Sequence, residues 1–495
     1  MFLRMIYDEN LAQAAYLIGC QRTGEAIVID PERDVDRYLE LAQANGLRIV
    51  AATETHIHAD FLSGVRELAE MGVRAYLSDE GDADWKYQWL NKKMSGGSYD
   101  HVLLHDGDEF MIGNIRLRAM HTPGHTPEHL AFLVTDVGGG ATAPIGIATG
   151  DFVFVGDLGR PDLLETAAGQ VGAREPSAKR LFQTVRRLDE VPEFVQVWPG
   201  HGAGSACGKA LGAVPTSTVG YEKRFSPAVK SAIGPDATER GFVDFILSGQ
   251  PEPPLYFARM KRENKAGPSV LGSLPEPERV SAKELAGADT ASCAVLDTRP
   301  WEAFATGHVP GSMSFPRRRT FTSDVGSMVR EDEPIYLIVA EAGLEESVRD
   351  LVRIGLDDIR GWIEPSDLPA SICTEPVREV SPEGARRMIE AGEVAVLDVR
   401  RKVEFDAGHL EGATNISHTR LAANLGELPR DKPLLVHCQQ GVRSGRACGL
   451  LGREGFACVN LAGGYEAWCA GDRAVETKKA SGAATGLARP ERTGP

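Results

Sequence analysis

The chain has 495 residues, too many for one hydrophobic core, and at roughly 150 residues per domain the length predicts about three domains. Hydrophobic residues make up 42% and charged residues 25%, an ordinary globular balance, and the formal charge of −16 argues against nucleic acid or an anionic membrane as a partner. There is no run of 18 apolar residues and no apolar segment of a signal peptide, so we expect a cytoplasmic protein whose eight cysteines are reduced.

The first 60 residues alternate short β-like runs with one helical stretch. The runs cover residues 2–7, 15–20 and 26–30, residues 34–45 are helical, and the apolar strand of residues 48–53 leads into a cluster of histidines. Strands that deliver such a cluster from their C-terminal ends are typical of a layered α/β fold. We predict one domain over residues 1–250 and a linker with proline and glycine over residues 251–278.

The rest of the chain contains an internal repeat. Asp297 and His308 recur, with similar flanking residues and the same spacing, as Asp398 and His409. This repeat predicts a duplicated domain, over residues 279–375 and 376–474. The small and polar residues 475–495 predict a disordered tail.

Four short motifs in the first domain bring together residues that bind metals. In chain order they are Thr55-His56-Ile57-His58-Ala59-Asp60, Thr122-Pro123-Gly124-His125-Thr126, Thr149-Gly150-Asp151 and Pro199-Gly200-His201-Gly202. Any one of these histidines alone would be interpreted as structural. Imidazole and carboxylate groups arriving from separate strand ends are the ligands expected for iron or zinc, so the four motifs together predict a metal site.

The order of these motifs resembles the metallo-β-lactamase superfamily, which implies an αββα sandwich over residues 1–250. Hydrolases of that superfamily, such as glyoxalase II, hold two metals and have a histidine after the aspartate of the first motif. Here that position is Phe61, which cannot bind a metal. This departure and the segment Gly156–Asp162 resemble the persulfide dioxygenase branch, which implies one ferrous ion, Fe(2+), per chain.

By that resemblance the iron ligands are His56, His125 and Asp151. The groups that orient ligands or bound water are then His58, Asp60 and His201, although in the hydrolases the position of His58 is itself a ligand. Two imidazoles and one carboxylate leave three open positions on an octahedral ferrous ion, enough for a persulfide sulfur and O₂. Binding both reactants at one metal makes their encounter intramolecular.

Two further residues of this domain are candidates for contact with the substrate. Cys207 lies six residues after His201 and resembles a cysteine found near the iron in dioxygenases that are fused to rhodanese domains. It is either a sulfur-handling thiol or a small buried hydrophobic residue. Arg160 has the planar guanidinium that suits the carboxylates of a substrate.

A cysteine loop in the last domain joins a strand to a helix. Cys438 follows the apolar run of residues 433–437, and the loop to Arg443 precedes a helical stretch whose N-terminus favours a thiolate. The loop and its flanking motifs resemble the rhodanese family, which implies that Cys438 carries sulfane sulfur as a persulfide balanced by Arg443. The equivalent residues of the first copy are Ala340 and Glu345, so we predict a degenerate rhodanese domain there.

We therefore predict an α/β enzyme: a metallo-β-lactamase αββα sandwich followed by two α/β rhodanese domains. Its partners are expected to be a small-molecule persulfide, O₂ and sulfite or thiosulfate, and it is expected to assemble as a homo-oligomer. The alternatives are a zinc-dependent thioester hydrolase of the glyoxalase II kind, which Phe61 disfavours, and a non-enzymatic interaction module, which Ala340 favours for the first copy alone.

Overall fold

The computed structural model describes residues 1–167, 169–470 and 475–476. Two six-stranded mixed sheets, each in chain order, form the N-terminal part. The first sheet consists of β1 (Phe2–Asp8), β2 (Gln13–Cys20), β3 (Glu25–Ile29), β4 (Arg48–Thr53), β5 (Arg74–Ser78) and β6 (His101–Leu104). The second sheet consists of β7 (Glu109–Ile112), β8 (Ile115–His121), β9 (Leu130–Thr135), β10 (Gly146–Gly150), β11 (Gln196–Pro199) and β12 (Ser217–Thr218).

Helices cover the outer faces of both sheets. They are α1 (Asp36–Ala44), α2 (Val65–Glu70), α3 (Leu163–Thr166), α4 (Arg174–Val185), α5 (Val219–Phe225), α6 (Pro227–Ile233) and α7 (Glu239–Leu247). Tyr38 and Leu68 pack with the first sheet on its outer face, and Leu181 and Phe242 pack with the second. A third core, which includes Trp198, fills the space between the sheets. The predicted αββα sandwich is therefore confirmed.

The C-terminal part contains two five-stranded parallel sheets with the same topology, orders β13-β17-β16-β14-β15 and β18-β23-β22-β19-β21. Strands β20 and β24 form a separate two-stranded sheet. The strands of this part are β13 (Glu278–Arg279), β14 (Ala294–Asp297), β15 (Met313–Ser314), β16 (Ile335–Ile338), β17 (Ile359–Ile363), β18 (Glu379–Val380), β19 (Ala395–Asp398), β20 (His409–Leu410), β21 (Thr414–Asn415), β22 (Leu434–His437), β23 (Cys458–Leu461) and β24 (Val475–Glu476). Strand β24 pairs with β20, so the chain stays in a sheet for two residues of the predicted tail, and residues 477–495 lie outside the described residues.

The remaining helices are α8 (Phe257–Ala266), α9 (Ala282–Ala286), α10 (Trp301–Thr306), α11 (Phe321–Met328), α12 (Leu344–Arg353), α13 (Pro382–Glu390), α14 (Lys402–Ala407), α15 (Val442–Arg453) and α16 (Gly464–Ala470). In the described part of the chain, no helix has the length and apolar character needed to span a bilayer. Helix α8 lies within the predicted linker. Its Phe257 and Met260 are buried in a hydrophobic core that also contains residues of the neighbouring domains. Its Asn264 amide donates to the carbonyls of His58 (2.8 Å) and Phe61 (2.7 Å), so the segment fixes the first metal motif.

A buried ion-pair network joins the first copy of the repeat to the N-terminal sandwich. Arg353 of α12 donates to both carboxylate oxygens of Asp34, at 3.0 and 2.7 Å, and to Asp8 at 2.5 Å. Its side chain is 8% exposed. The helix that follows the degenerate loop is therefore the docking surface between the two domains.

We expect Arg353→Met to lower the free energy of unfolding by about 3–5 kcal/mol, because it removes the arginine that pairs with the buried carboxylate of Asp8 and one of three arginines that pair with Asp34. Urea denaturation, compared with wild type, measures the loss. Arg360→Met is the matched control, since Arg360 is 59% exposed and pairs on the surface with Asp358, two residues before it. Equal effects of the two substitutions would show that the network does not hold the domains together.

Candidate metal centre and cysteine loop

Three loops at strand ends bring the predicted metal ligands together. His56 follows β4, His125 follows β8 and Asp151 directly follows β10. The ligand atoms of these three buried residues lie within 4.8 Å of one another. His125 Nε2 is 3.4 Å from Asp151 Oδ2. The structure thus assembles two imidazoles and a carboxylate into one group of candidate metal ligands.

Hydrogen bonds fix the orientation of both imidazoles. The hydroxyl of Thr55 donates to Asp30 Oδ2 (3.0 Å), so it accepts from His56 Nδ1 (2.9 Å). The Nδ1–H of His125 donates to the carbonyl of Arg160 at 3.0 Å. Each imidazole therefore presents an unprotonated Nε2 to the site, the state that a metal requires.

His129, which lies outside the four motifs, positions the third candidate ligand. Its Nε2 accepts from the backbone N–H of Asp151 at 3.1 Å, and its Nδ1 donates to the hydroxyl of Thr122 at 2.7 Å. Gly150 precedes the aspartate with φ of +47°, and a Cβ there would lie 2.3 Å from Thr55 Oγ1. A larger residue at position 150 would push away Thr55, which hydrogen-bonds to His56, and this explains the glycine of the motif.

The electrostatics of the group fit a bound cation. Both carboxylate oxygens of Asp151 are buried, and neither has a hydrogen-bond partner among the residues that the structure describes. Burial lowers the pKa of His125 to about 4 and raises the pKa of Asp151 to about 6. A buried carboxylate without a partner is costly, and a divalent metal between Nε2 atoms and the carboxylate removes that cost.

A second group of candidate ligands lies beside the first. The ligand atoms of Asp60, His201 and Cys207 lie within 4.8 Å of one another, and all three residues are buried. His201 Nε2 is 3.3 Å from Asp60 Oδ2 and 3.4 Å from Asp151 Oδ1, so Asp151 lies between the groups. Burial, together with the nearby carboxylates of Asp151 and Asp60, raises the pKa of the Cys207 thiol well above its usual range. In the absence of a metal, Cys207 is therefore a neutral thiol.

His58 lies outside both groups. Burial alone would lower its pKa, but the carboxylate of Asp30, 3.1 Å from Nε2, raises it to about 9. The ring of Phe61 packs against the imidazole, with centroids 4.3 Å apart. Asp30 and Phe61 thus hold His58 in place beside His56.

Arg160 is buried, and groups of its own domain hold its guanidinium. The guanidinium donates to both oxygens of Asp162, at 3.1 and 2.7 Å, and to the carbonyl of Ala206 at 2.8 Å. Because the backbone carbonyl of Arg160 accepts from His125, Arg160 ties the loop of Cys207 to a candidate metal ligand. The structure therefore gives Arg160 a positioning role, and its contact with substrate carboxylates stays a prediction.

A cavity of about 540 Å³ connects the second group with the last domain. Asp60 and the loop of residues 203–206 line it from the sandwich, Tyr256 lines it from the segment between the domains, and Arg401 and His418 line it from the last domain. The last domain therefore covers the cavity that borders Asp60.

The cysteine loop has the geometry of a sulfur-binding cradle. Cys438 follows β22 and is 1% exposed. The backbone N–H of Gly441 donates to its Sγ at 3.1 Å, and the hydroxyl of Ser444 lies 3.6 Å from the same sulfur. Gly441 has φ of +97°, which a side chain would disfavour, and begins α15. Backbone donors at a helix N-terminus stabilise a thiolate or persulfide anion.

Arg443 has a partner that the sequence did not reveal. Its guanidinium forms a bidentate pair with Glu404 of α14, at 2.6 and 2.7 Å. In the first copy, Ala340 occupies the cysteine position after β16, and Glu345 pairs with Arg349 of the docking helix. The first copy therefore has neither the sulfur nucleophile nor the arginine.

Comparison with known proteins agrees with this architecture. The model of the metallo-beta-lactamase superfamily matches residues 9–201, and that of the rhodanese-like domain matches residues 381–471. The crystal structure of a metallo-beta-lactamase from Staphylococcus aureus subsp. aureus COL is 39% identical, with a TM-score of 0.65, and the alignment covers 74% of this chain and 99% of that one.

Two curated relatives each match 41% of this chain. The probable polyketide biosynthesis zinc-dependent hydrolase BaeB of Bacillus velezensis is 26% identical, over 41% of this chain and 80% of its own length. The mitochondrial persulfide dioxygenase ETHE1 of Homo sapiens is 26% identical, over 41% of this chain and 68% of its own length. On the family models and the Staphylococcus structure, the chain belongs to the metallo-beta-lactamase superfamily and carries a rhodanese-like domain in its C-terminal part.

Proposed function

We propose that the protein oxidises low-molecular-weight persulfides, such as glutathione persulfide, with O₂ to sulfite at a single iron, and transfers sulfane sulfur through Cys438 to or from thiosulfate. These reactions together detoxify sulfide. The observation that supports this most is the buried His56, His125 and Asp151 group, with both oxygens of Asp151 unpartnered, in one chain with a rhodanese loop. The similarity to a human persulfide dioxygenase adds support.

At the metal centre, the protein's contribution is positioning and exclusion of water. Thr55 and Asp30 keep a proton on Nδ1 of His56, and His129 orients the backbone before the Asp151 carboxylate. Bound by the three ligands, Fe(2+) supplies open positions at which a persulfide sulfur and O₂ meet. The persulfide, O₂ and water together give one thiol, sulfite and protons.

At the loop, Cys438 works as a sulfur carrier. Its thiolate attacks the outer sulfur of a persulfide, the sulfur–sulfur bond breaks, and the thiol leaves with its electron pair. The N–H of Gly441 then stabilises the Cys438 persulfide. Sulfite attacks the same outer sulfur, which forms thiosulfate and restores the thiolate, and the reverse sequence releases sulfite from thiosulfate. Sulfite made at the metal centre is thus an acceptor for the loop.

A zinc-dependent thioester hydrolase is the alternative. The second group of Asp60, His201 and Cys207 supports it, because these residues offer donors for another metal beside the first. The similarity to a zinc-dependent hydrolase supports it too. Phe61 counts against it, since it removes a ligand of the two-metal hydrolases. Oxygen consumption with glutathione persulfide, measured beside hydrolysis of a glutathione thioester, separates the two functions.

We expect Cys207→Ser to lower O₂ uptake per bound iron by about tenfold, because serine is a far poorer sulfur nucleophile than cysteine of similar size. The thiol lies beside Asp60 and His201, where a persulfide entering from the large cavity would meet it. Iron content and sulfur transfer at Cys438 should stay at wild-type values. Normal turnover per iron, with lower thermal stability, would show that Cys207 only fills space.

A further inference from the structure

A second, much smaller cavity lies beside His125. It has a volume of about 20 Å³ and is lined mainly by Ile57, Ala59, Trp85, Leu163, Leu164 and Ala167. The large cavity instead borders Asp60 of the second group and is lined by charged and polar groups such as Arg401 and His418. One apolar and one polar cavity therefore lie against the two neighbouring ligand groups.

We propose that the small cavity is a binding site for O₂, separate from the polar cavity that admits the persulfide. This inference rests on the proposed dioxygenase function. It assigns each of the two reactants its own approach to the ligand group.

The size and chemistry of the small cavity suit a diatomic gas. A single water requires roughly 10–15 Å³ and two to four polar partners, and cavities lined by apolar side chains stay dry and bind nonpolar ligands. The polar residues on this wall are His125, Thr126 and Lys261, and the Nδ1 of His125 is already committed to the carbonyl of Arg160. The space holds one O₂ and is too small for a thiol-bearing metabolite.

Lys261 of α8 forms the polar edge of the cavity. Its ammonium lies 3.9 Å from the ring centroid of Trp85, and its side chain is half-buried. Burial lowers its pKa. A cation over an aromatic face holds both side chains in place, so the lysine and the tryptophan keep this wall closed to larger molecules.

The direct test uses krypton, a noble gas close in size to O₂. A crystal of the full chain, pressurised with krypton, should show the gas between Ala59, Leu163 and Ala167, with or without iron. Absence of krypton from this cavity would overturn the proposal. Because this measurement needs no turnover, it is independent of the activity of the enzyme.

Kinetics then identify the occupant. Ala167→Phe, at the half-buried wall, should raise the KM for O₂ by about tenfold and leave the KM for glutathione persulfide unchanged, since it fills only the small cavity. Ala167→Val, a smaller change, should give the same direction if the phenylalanine variant does not fold.

Ala203→Phe is the matched control, because Ala203 is half-buried in the wall of the polar cavity, and it should raise the KM for persulfide alone. A rise in the persulfide KM for the Ala167 variants would overturn the proposal. Wild-type protein that binds krypton in this cavity but consumes no O₂ with persulfide would overturn the proposed function, and with it O₂ as the natural occupant.

Discussion

His125→Ala and Asp151→Ala are each expected to remove the iron and to lower persulfide-dependent O₂ uptake by about a thousandfold or more. A bound metal contributes several kcal/mol to its reaction, and each 1.4 kcal/mol is about tenfold in rate. These two side chains supply two of the three ligand atoms that lie within 4.8 Å of one another. Metal analysis of anaerobically purified variants and an oxygen electrode measure both effects.

Sulfur transfer at Cys438 should persist in these variants, because the loop lies in another domain. His105→Ala is the matched control, since His105 is 58% exposed and belongs to neither ligand group, and it should keep wild-type iron and turnover. Iron retained at wild-type content in both ligand variants would show that the metal binds elsewhere.

Cys438→Ser is expected to lower thiosulfate:cyanide sulfur transfer by at least about a thousandfold and to leave persulfide-dependent O₂ uptake per iron intact. A serine hydroxyl cannot carry sulfane sulfur, and removing a nucleophile that forms the covalent intermediate removes the whole pathway. The first copy cannot compensate, because Ala340 stands at its cysteine position. A standard thiocyanate assay measures the loss.

Cys469→Ser, at an exposed cysteine of the same domain, is the matched control and should retain full sulfur transfer. Sulfur transfer near the wild-type rate in Cys438→Ser would mean that another cysteine or the first copy is active.

The sequence predicted the metal ligands and the cysteine loop because each lies in a short motif next to a strand. His56, His125 and Asp151 each follow the end of a strand, and the sandwich fold brings these strand ends together. Cys438 lies between a strand and a helix N-terminus. Spacing along the chain is enough to locate such residues, since the fold class already determines where strands end.

Contacts between distant segments could not be predicted in this way. The resemblance placed Cys207 near the predicted iron, but its contact with Asp60 depends on how the loop that follows β11 folds back. The pairing of Arg160 with Asp162 was likewise not apparent from the sequence.

The interdomain contacts depend on the same kind of information. Helix α8 contacts the first metal motif through Asn264. The proline and glycine content of this segment had predicted a linker. The degenerate domain has no nucleophile at its cysteine position, and Arg353 of its α12 is a buried partner of Asp34. Such pairings depend on how the domains dock, which neither periodicity nor a local motif encodes.

The proposed dioxygenase with one iron is tested best on the anaerobically purified wild-type chain. The experiment measures its metal content together with its O₂ uptake on glutathione persulfide. We expect one iron per chain and O₂ uptake in proportion to that iron, because His56, His125 and Asp151 form one complete ligand group and Phe61 replaces the histidine that the two-metal hydrolases use for their second metal. Two tightly bound zinc ions per chain, with hydrolysis of a glutathione thioester and no O₂ uptake, would contradict it.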